Sequence, residues 1–210
     1  MRKKFLYFIT ALFLVFCAFA YAGTVKEYSA DMVVVGSDTI NGKLFVSNDK
    51  IRMESKSNKG NEDDSITIVR VDKGKAYALI PADKSYMEFD IKKGEDFRME
   101  EIANGMLPGK FSVKRDKKGT ETVNGYKTTK YEINTTVEMM GQKMERKAFE
   151  WIAAEFEPMP VRTLDVKDNI TVEMRNIKKG AQNASLFEIP AGYEKAPDIN
   201  DILKGIGQSN

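Results

Sequence analysis

The sequence predicts a mainly β protein of the α+β class. We expect a large antiparallel sheet that curves into an unclosed half-barrel, with short helices covering its concave face. Three observations predict this fold: turn signals recur roughly every 8 to 12 residues, apolar and charged residues alternate between the turns, and two short segments repeat with a helical period. About ten strands are expected, and a sheet of that size must curl and cover its apolar side.

The N-terminal segment has the pattern of an export signal. A basic start at residues 2–4 precedes an apolar run at residues 5–20, and residues 20–22 form a small-x-small cleavage pattern. The run is shorter than the roughly 20 residues that a membrane-spanning helix needs. We therefore predict a signal peptide over residues 1–22, one domain over residues 23–210, a periplasmic location and no stable membrane insertion after cleavage.

The strands of the predicted sheet have one apolar and one charged side. Ile51 and Met53 alternate with Arg52 and Glu54, which is the pattern of a strand with one buried face. The same alternation occurs at residues 86–91 and 170–175. The strands should therefore share one apolar face.

Two segments have helical spacing and should pack against that apolar face. Their apolar residues fall at i, i+3, i+4 and i+7, which is typical of a short amphipathic helix. The first segment has Met99, Ile102, Ala103 and Met106, and the second has Ile199, Ile202, Leu203 and Ile206. Two helices of this length should leave part of the hollow unfilled.

The composition excludes several classes of enzyme. The chain has no histidine, and its single cysteine, Cys17, lies inside the signal. Ser-His catalysis, zinc hydrolysis, thiolate chemistry and disulfides are therefore excluded for the mature chain. The densest acidic cluster, at residues 61–64, lacks the spacing of a calcium loop. We expect no enzyme activity, no cofactor and no metal site.

The charge balance argues against nucleic acid as a partner. The chain carries 33 basic and 31 acidic residues, for a formal charge of +2, and loss of the three basic signal residues turns this into −1. The basic residues are also scattered through the turns. A nucleic-acid-binding protein would instead present a concentrated basic surface.

Several segments together resemble the LolA-like superfamily of periplasmic lipoprotein carriers, over residues 28 to 195. An aromatic strand is followed by a Pro-x-Arg strand and by a closing Phe-x-Ile-Pro-x-Gly-Tyr segment. The segments are Gly42-Lys43-Leu44-Phe45-Val46, Ile51-Arg52-Met53-Glu54, Phe149-Glu150-Trp151-Ile152-Ala153, Pro158-Met159-Pro160-Val161-Arg162, Ile170 to Asn176, and Ser185-Leu186-Phe187-Glu188-Ile189-Pro190-Ala191-Gly192-Tyr193.

The resemblance implies an unclosed barrel whose apolar interior shelters acyl chains. Two departures matter. Only residues 23–26 precede the first strand, where the carriers have an amphipathic helix, and Ser47-Asn48-Asp49 stands where they have an Arg-Pro turn. The chain thus resembles the uncharacterised branch of the superfamily more than the lipoprotein shuttle.

The candidate ligand-binding residues are those expected to line the hollow. Methionine side chains are flexible and polarisable, so they could fit acyl chains of varied length, although core filling would explain them equally. Phe149 and Trp151 are placed on the dry face, either as core or as ligand wall. The full set is Met32, Val34, Leu44, Val46, Met53, Ile66, Ile68, Met87, Phe89, Met99, Ile102, Met106, Phe149, Trp151, Val172 and Met174.

Three strand arginines were considered as ligands for an anionic headgroup. Alternation puts Arg52 and Arg175 on the wet face, and cross-strand pairing of Arg52, Arg162 and Arg175 with glutamates is the preferred interpretation. An apolar tip at Met139, Met140 and Met144 could contact a membrane or a partner, or pack under the sheet edge.

These observations lead to two functional hypotheses. The first is an exported, non-enzymatic carrier or binding protein, monomeric, that holds lipid or lipoprotein acyl chains in an apolar half-barrel. The alternative is an envelope protein-interaction or sensory module that uses the same fold without a lipid ligand and binds an envelope protein partner.

Overall fold

The computed structural model describes residues 27–36, 40–56, 64–91, 110–139, 142–157 and 159–197. The predicted signal peptide and both predicted helices lie outside these residues, as do Met140 and most of the acidic cluster. Within the described part of the chain, no helix is long and apolar enough to cross a membrane.

Twelve strands form one sheet, in the order β12-β6-β5-β4-β3-β2-β1-β11-β10-β9-β8-β7. Every neighbouring pair is antiparallel except β12 and β6, which run parallel. The strands are β1 (Glu27–Val35), β2 (Ile40–Ser47), β3 (Lys50–Lys56), β4 (Ser65–Arg70), β5 (Lys75–Ile80), β6 (Ser85–Asp90), β7 (Lys110–Val123), β8 (Tyr126–Met139), β9 (Gln142–Ile152), β10 (Arg162–Asp165), β11 (Ile170–Lys179) and β12 (Glu194–Lys195).

The predicted fold class is confirmed: the protein is mainly β, with one large unclosed antiparallel sheet. Twelve strands occur instead of about ten because β10 has four residues and β12 has two. Strands this short carry too little alternation to be recognised from sequence.

Tight turns close the hairpins at the positions where turn signals occur. Short 3-10 turns at Val71–Lys73 and Pro81–Asp83 connect β4 to β5 and β5 to β6. Between β7 and β8, Asn124 and Gly125 both have positive φ, of 50° and 82°. Asn-Gly is the residue pair that a two-residue hairpin with two positive φ angles prefers.

Side-chain alternation gives the sheet two distinct faces. We call the face that bears Met32, Met53 and Met174 the inner face, because these residues belong to the main core cluster. The opposite face, which bears Arg52 and Glu173, is the outer face. Directly paired residues on antiparallel strands share a face, so the register assigns the other strand residues to one side.

The outer face of β3–β6 is covered by residues 184–195, which we call the C-terminal strap. It begins with the 3-10 turn Ala184–Phe187, and the Asn183 side chain caps this turn by accepting a hydrogen bond from the Ser185 backbone N–H at 3.0 Å. Phe187 is 1% exposed and packs with Ile68 and Leu79. The strap ends as β12 beside β6.

The two ends of the sheet differ in length. β7 is a 14-residue edge strand, and it pairs with β8 along its whole length apart from a register shift between Lys117 and Gly119. At the other edge, β12 adds two residues to β6. The sheet therefore stays open between a long edge and a short one.

Candidate ligand-binding wall

The inner face of β1–β6 forms an apolar surface, which we call the inner wall. Strand register aligns its side chains in two parallel rows that cross all six strands. One row is Ala30, Leu44, Met53, Thr67, Ala78 and Met87, and the other is Tyr28, Val46, Ile51, Val69, Ala76 and Phe89.

The middle of the inner wall is lined by small side chains. Thr67 and Ala78 lie between Met53 on β3 and Met87 on β6. In the second row, Ala76 stands next to Phe89. The side chains that flank β4 and β5 are longer, and we call this arrangement of short side chains between longer ones the trough, with its floor on β4 and β5.

The inner wall is fully covered in this structure. Its least buried member, Met87, is 8% exposed, and Ala76, Ala78 and Leu44 are each 0% exposed. A ligand could therefore reach the trough only if the groups that cover it move.

The strands of the wall approach each other closely at Gly42. A Cβ atom at this position would lie 2.3 Å from the backbone oxygen of Glu54 and 3.5 Å from the Cβ atom of Met32. The first distance is far below any real contact. Glycine is therefore required here by the approach of β3, and it does not mark a ligand cavity.

An aromatic cluster closes one end of the inner wall. The Tyr28 hydroxyl donates a hydrogen bond to the backbone oxygen of Phe156 at 3.0 Å. The Phe156 ring centroid is 5.2 Å from that of Tyr28 and 4.9 Å from that of Tyr126, both in tilted or edge contacts. Burial raises the pKa of Tyr28 well above its ordinary value, so this hydroxyl stays a neutral donor.

Beyond β1, the inner face becomes polar. The row through Val34 and Val172 continues to Thr163 on β10, Glu150 on β9 and Tyr131 on β8. Glu150 is 0% exposed, and Arg115 Nη2 lies 3.2 Å from its Oε2 atom. The inner face is thus apolar on β1–β6, whereas on β7–β10, which we call its polar part, Thr163 and the Arg115–Glu150 pair lie beside buried apolar residues such as Ile133 and Ala148.

Most of the predicted ligand residues that the structure describes lie on the inner face. Val34 and Val172 are half-buried at the boundary between its apolar and polar parts. Met99, Ile102 and Met106 lie outside the described residues. The buried residues of this set are Met32, Leu44, Val46, Met53, Met87, Phe89 and Met174.

Four predicted residues lie on the outer face instead. Ile66 and Ile68 contact the cluster around Phe187, under the C-terminal strap. β4 is apolar on both sides, because its inner face has Val69 while its outer face meets the strap. Alternation alone could not show which side of this strand faces the hollow.

Phe149 and Trp151 also differ from the expected dry-face placement. Trp151 pairs with Arg162, which pairs with Glu173, and Phe149 pairs with Leu164. Both rings therefore lie on the outer face. Trp151 is nevertheless only 5% exposed and belongs to the main core cluster, so its expected role as a core residue is confirmed.

Charged side chains cover these two rings. Lys130 Nζ lies 4.8 Å from the Trp151 ring centroid and 5.1 Å from that of Phe149, and Arg162 Cζ lies 5.6 Å from the Trp151 centroid. The indole N–H donates to Glu121 Oε2 at 2.9 Å. Hydrogen bonds from Lys130 and Trp151 lower the pKa of Glu121. Lysine stems commonly shield apolar surface in this way.

All three strand arginines bind glutamates, but the predicted cross-strand pairing is confirmed for Arg162 alone, because Arg52 and Arg175 bind glutamates two residues away on their own strands. Arg52 Nε donates to Glu54 at 2.7 Å, Arg162 Nε donates to Glu173 at 2.8 Å, and Arg175 Nη2 donates to Glu173 at 2.8 Å. Burial alone would raise the pKa of Glu173, but the hydrogen bonds from Arg175 and Arg162 outweigh it and lower that pKa.

Sequence reasoning missed the residues that hold the C-terminal strap. Arg52 Nη1 donates to the Leu186 backbone oxygen at 2.9 Å, and Arg70 Nη1 donates to the Phe187 backbone oxygen at 3.2 Å. Arg70 also binds Asp72 and Glu188. The two bonds to the strap backbone join positions more than 100 residues apart. No local sequence pattern predicts such contacts.

Arg115 and Glu150 were also missed as a pair. They lie on β7 and β9, which are separated by β8. A signal did exist, because Glu150 falls between Phe149 and Trp151 in an apolar stretch. Among the described residues, no group of three acidic side chains is placed to hold a metal ion.

Comparisons with known proteins support the fold. A crystal structure of an uncharacterized conserved protein from Thermus thermophilus has 10% sequence identity and a TM-score of 0.51, over 82% of this chain and 90% of that one. At this identity the likeness supports the fold alone.

Two further structures are less similar in shape. PNGF-II has 10% identity and a TM-score of 0.48, over 88% of this chain and 33% of that one. A candidate exported protein with a YmcC-like fold from Bacteroides fragilis has 12% identity and a TM-score of 0.36, over 78% of this chain and 100% of that one.

No curated protein matches this chain. The family described as "Domain of unknown function (DUF4412)" matches residues 32–146 and 135–193, which together span most of the chain. The protein therefore belongs to the DUF4412 family.

Proposed function

We propose that the protein is an exported, non-enzymatic binding protein that holds the acyl chains of a lipid or lipoprotein on its inner wall. The observation that carries this proposal is the arrangement of the two aligned rows. Small side chains at Thr67, Ala76 and Ala78 lie between longer, flexible ones at Met53 and Met87. A trough of this kind suits a flexible hydrocarbon chain of variable length.

The energetics of such binding are favourable without any chemical step. Burial of an acyl chain contributes about 0.8 kcal/mol per methylene, so a 14-carbon chain could gain roughly 10 kcal/mol. Part of that gain is lost to ordering of the ligand and to opening of the covered wall. The remaining affinity would suit reversible transport, and no catalytic residue or cofactor is needed.

The location and partners follow from the same proposal. The export pattern at residues 1–22 supports a periplasmic protein. A carrier of acyl chains would act as a soluble monomer there and would meet an envelope protein that supplies or receives the ligand.

The first experiment is native mass spectrometry of the exported protein, followed by titration with a fluorescent fatty acid. We expect a co-purifying lipid mass or saturable fluorescence. Met53→Asp and Phe89→Asp should abolish binding, because each puts a charge on the wall. Asn41→Asp adds the same charge to the exposed outer side of β2 and should leave binding unchanged.

A second variant covers the case in which the charged variants fail to fold. Ala78→Leu fills the trough with apolar volume, at a cost of about 1–3 kcal/mol in stability. We expect this variant to retain the circular dichroism spectrum of the wild type while binding the fatty acid at least tenfold more weakly. Unchanged binding by folded Ala78→Leu would contradict the proposed trough.

Burial of the wall favours one alternative function. Because its side chains are at most 8% exposed, the interior could be permanently filled, and the protein could instead be an envelope interaction or sensory module. That function predicts no lipid mass and no fatty acid binding, together with a stable partner mass in the native spectrum.

A further inference from the structure

The polar part of the inner face is continuous with the apolar wall. Val34 on β1 is linked through Val172 and Thr163 to Glu150 on β9 by direct cross-strand pairs. Neighbouring strands are about 4.8 Å apart, so Glu150 lies roughly 14 Å along the sheet from Val34. An acyl chain whose head lies at Glu150 therefore reaches the β1 edge of the apolar wall after roughly 14 Å, and the floor on β4 and β5 begins three strands, roughly 14 Å, further along the sheet.

Arg115 is held in a fixed position at this polar part. Its Nη2 atom lies 3.2 Å from Glu150 Oε2, and its Cζ atom lies 4.1 Å above the Tyr131 ring centroid. Glu150 is 0% exposed. An ion pair and a stacking contact together restrict a side chain that otherwise has many rotamers.

One donor of this fixed guanidinium has no acceptor among the described residues. There, the Nε atom of Arg115 is buried and makes no hydrogen bond. Buried donors are normally satisfied, and an unsatisfied one is costly, which suggests that an acceptor from elsewhere belongs at this position.

The charge of the pair determines what kind of acceptor fits. Arg115 is already neutralised by Glu150, so a carboxylate or phosphate at Nε would be repelled by the nearby Glu150 charge. A neutral carbonyl oxygen accepts the hydrogen bond without that penalty. An ester or amide carbonyl is such a group, and it lies at the head of an acyl chain linked to glycerol or to an amine.

We infer that Arg115 Nε is a polar subsite that receives the carbonyl oxygen of an ester- or amide-linked acyl ligand, with Glu150 as its positioning residue. This inference rests on the proposed function. It narrows the ligand class to esterified or amide-linked chains and disfavours free fatty acids.

The test uses displacement of N-phenyl-1-naphthylamine from the full mature chain. Three competitors share a dodecyl-length tail: methyl dodecanoate, dodecyl methyl ether and dodecanoate at pH 8. We expect the ester to displace the dye at about fivefold lower concentration than the ether, because it gains one hydrogen bond. The charged dodecanoate should be weaker than the ester.

Two variants separate the role of Arg115 from a structural one. Arg115→Lys keeps the charge opposite Glu150 but removes the Nε donor, so it should lose the preference for the ester and keep the affinity for the ether. Arg115→Met should do the same if it folds. Lys114→Met, on the outer face of the same strand, should retain the preference.

Glu150→Gln should strengthen the binding of one ligand, whereas the Arg115 variants weaken binding. It removes the repelling charge, so dodecanoate affinity should rise severalfold while the affinity for the ester changes little. A residue with only a structural role would not improve the binding of one ligand.

The outcomes distinguish this inference from the proposed function. If the dye and all three competitors fail to bind, acyl binding itself is wrong and the subsite falls with it. If they bind but the wild type does not prefer the ester, or if folded Arg115→Lys keeps that preference, only the subsite is wrong.

Discussion

The outer face is covered in two different ways, and the contrast shows what the two parts of the sheet require. On β3–β6, the strap-covered half, the chain itself lies over Ile68 and Leu79. On β8–β11, the cation-covered half, lysine and arginine side chains lie over Phe149 and Trp151. The first cover is held by long-range contacts, whereas the second comes from neighbouring strands. Loss of one contact should therefore be more damaging in the strap-covered half.

The largest expected difference concerns the two phenylalanines that anchor these covers. Phe187→Ala should lower the free energy of unfolding by about 3–5 kcal/mol, because this ring is fully buried. Phe149→Ala should cost about 1–2 kcal/mol, because Phe149 is half-buried. Urea denaturation of both variants measures the difference.

Ser185→Ala is the matched control for the strap, since its exposed side chain bonds only Asn183. It should cost well under 1 kcal/mol. Equal losses for Phe187→Ala and Phe149→Ala would show that the two covers are equivalent.

The next effect compares two arginines. Arg70→Met should cost about 2–3 kcal/mol, because its buried guanidinium binds Asp72, Glu188 and the Phe187 backbone oxygen. Arg175→Met should cost less than about 1 kcal/mol, since Arg175 is exposed and Glu173 keeps its bond to Arg162. Hydrogen exchange should show faster exchange of the strap amides in Arg70→Met alone.

Sequence alternation assigned two residues to the wrong face in each half, Ile66 and Ile68 under the strap and Phe149 and Trp151 under the cations. Alternation gave the correct faces for Ile51 and Met53, because the outer neighbours of these residues are charged. For Trp151 alternation gave the correct burial but the wrong face, because Lys130 and Arg162 lie over its ring on the outer side. Which side of a strand is buried depends on the segment that covers it, and that segment cannot be predicted from the sequence of the strand alone.

The pairing of distant residues was also beyond sequence reasoning. The mainly β class, the open sheet and the hairpin at Asn124 and Gly125 follow from local patterns. The contact of Arg70 with Phe187 and the pairing of Arg115 with Glu150 depend on strand order. The turn signals do not give the strand order, so the sequence did not predict the polar part of the inner face on β7–β10.

A third prediction concerns the stability of the folded protein at acidic pH. The hydrogen bond from Asn134, followed by those from Lys147 and Lys118, lowers the pKa of Glu132 to about 2. A lowered pKa stabilises the folded state above the ordinary value of 4.5, and this contribution is lost as the pH falls from 4.5 to about 2. Glu132→Gln should therefore flatten the acid limb of a stability curve in that window.

Glu88 provides the equivalent measurement in the strap-covered half. A hydrogen bond from Lys75 is the main cause that lowers its pKa, so Glu88→Gln should act in the same direction. Urea midpoints measured from acid to neutral pH test both variants. An unchanged slope for Glu132→Gln would show that its ion pairs are fully screened by water.

The smallest change in the free energy of unfolding is expected when the cation over the two aromatic rings is removed. Lys130→Met keeps an apolar stem over Trp151 and Phe149 but removes the cation, so it should cost about 0.5–1 kcal/mol. Trp151 fluorescence should shift little, because the ring remains shielded. A large red shift would mean that the ammonium group itself excludes water from the indole.

The long strand β7 has a consequence for how this open sheet behaves at high concentration. Within the part of the chain that the structure describes, β7 pairs on one side only, so its 14 residues offer backbone donors and acceptors to a second chain, and many β proteins form fibres in this way. Lys110, Lys114, Lys117 and Lys118 are all exposed along it. Charged lysines on an edge strand disfavour its pairing with a second chain, so replacing these four by neutral residues should turn a dispersed protein into an aggregating one.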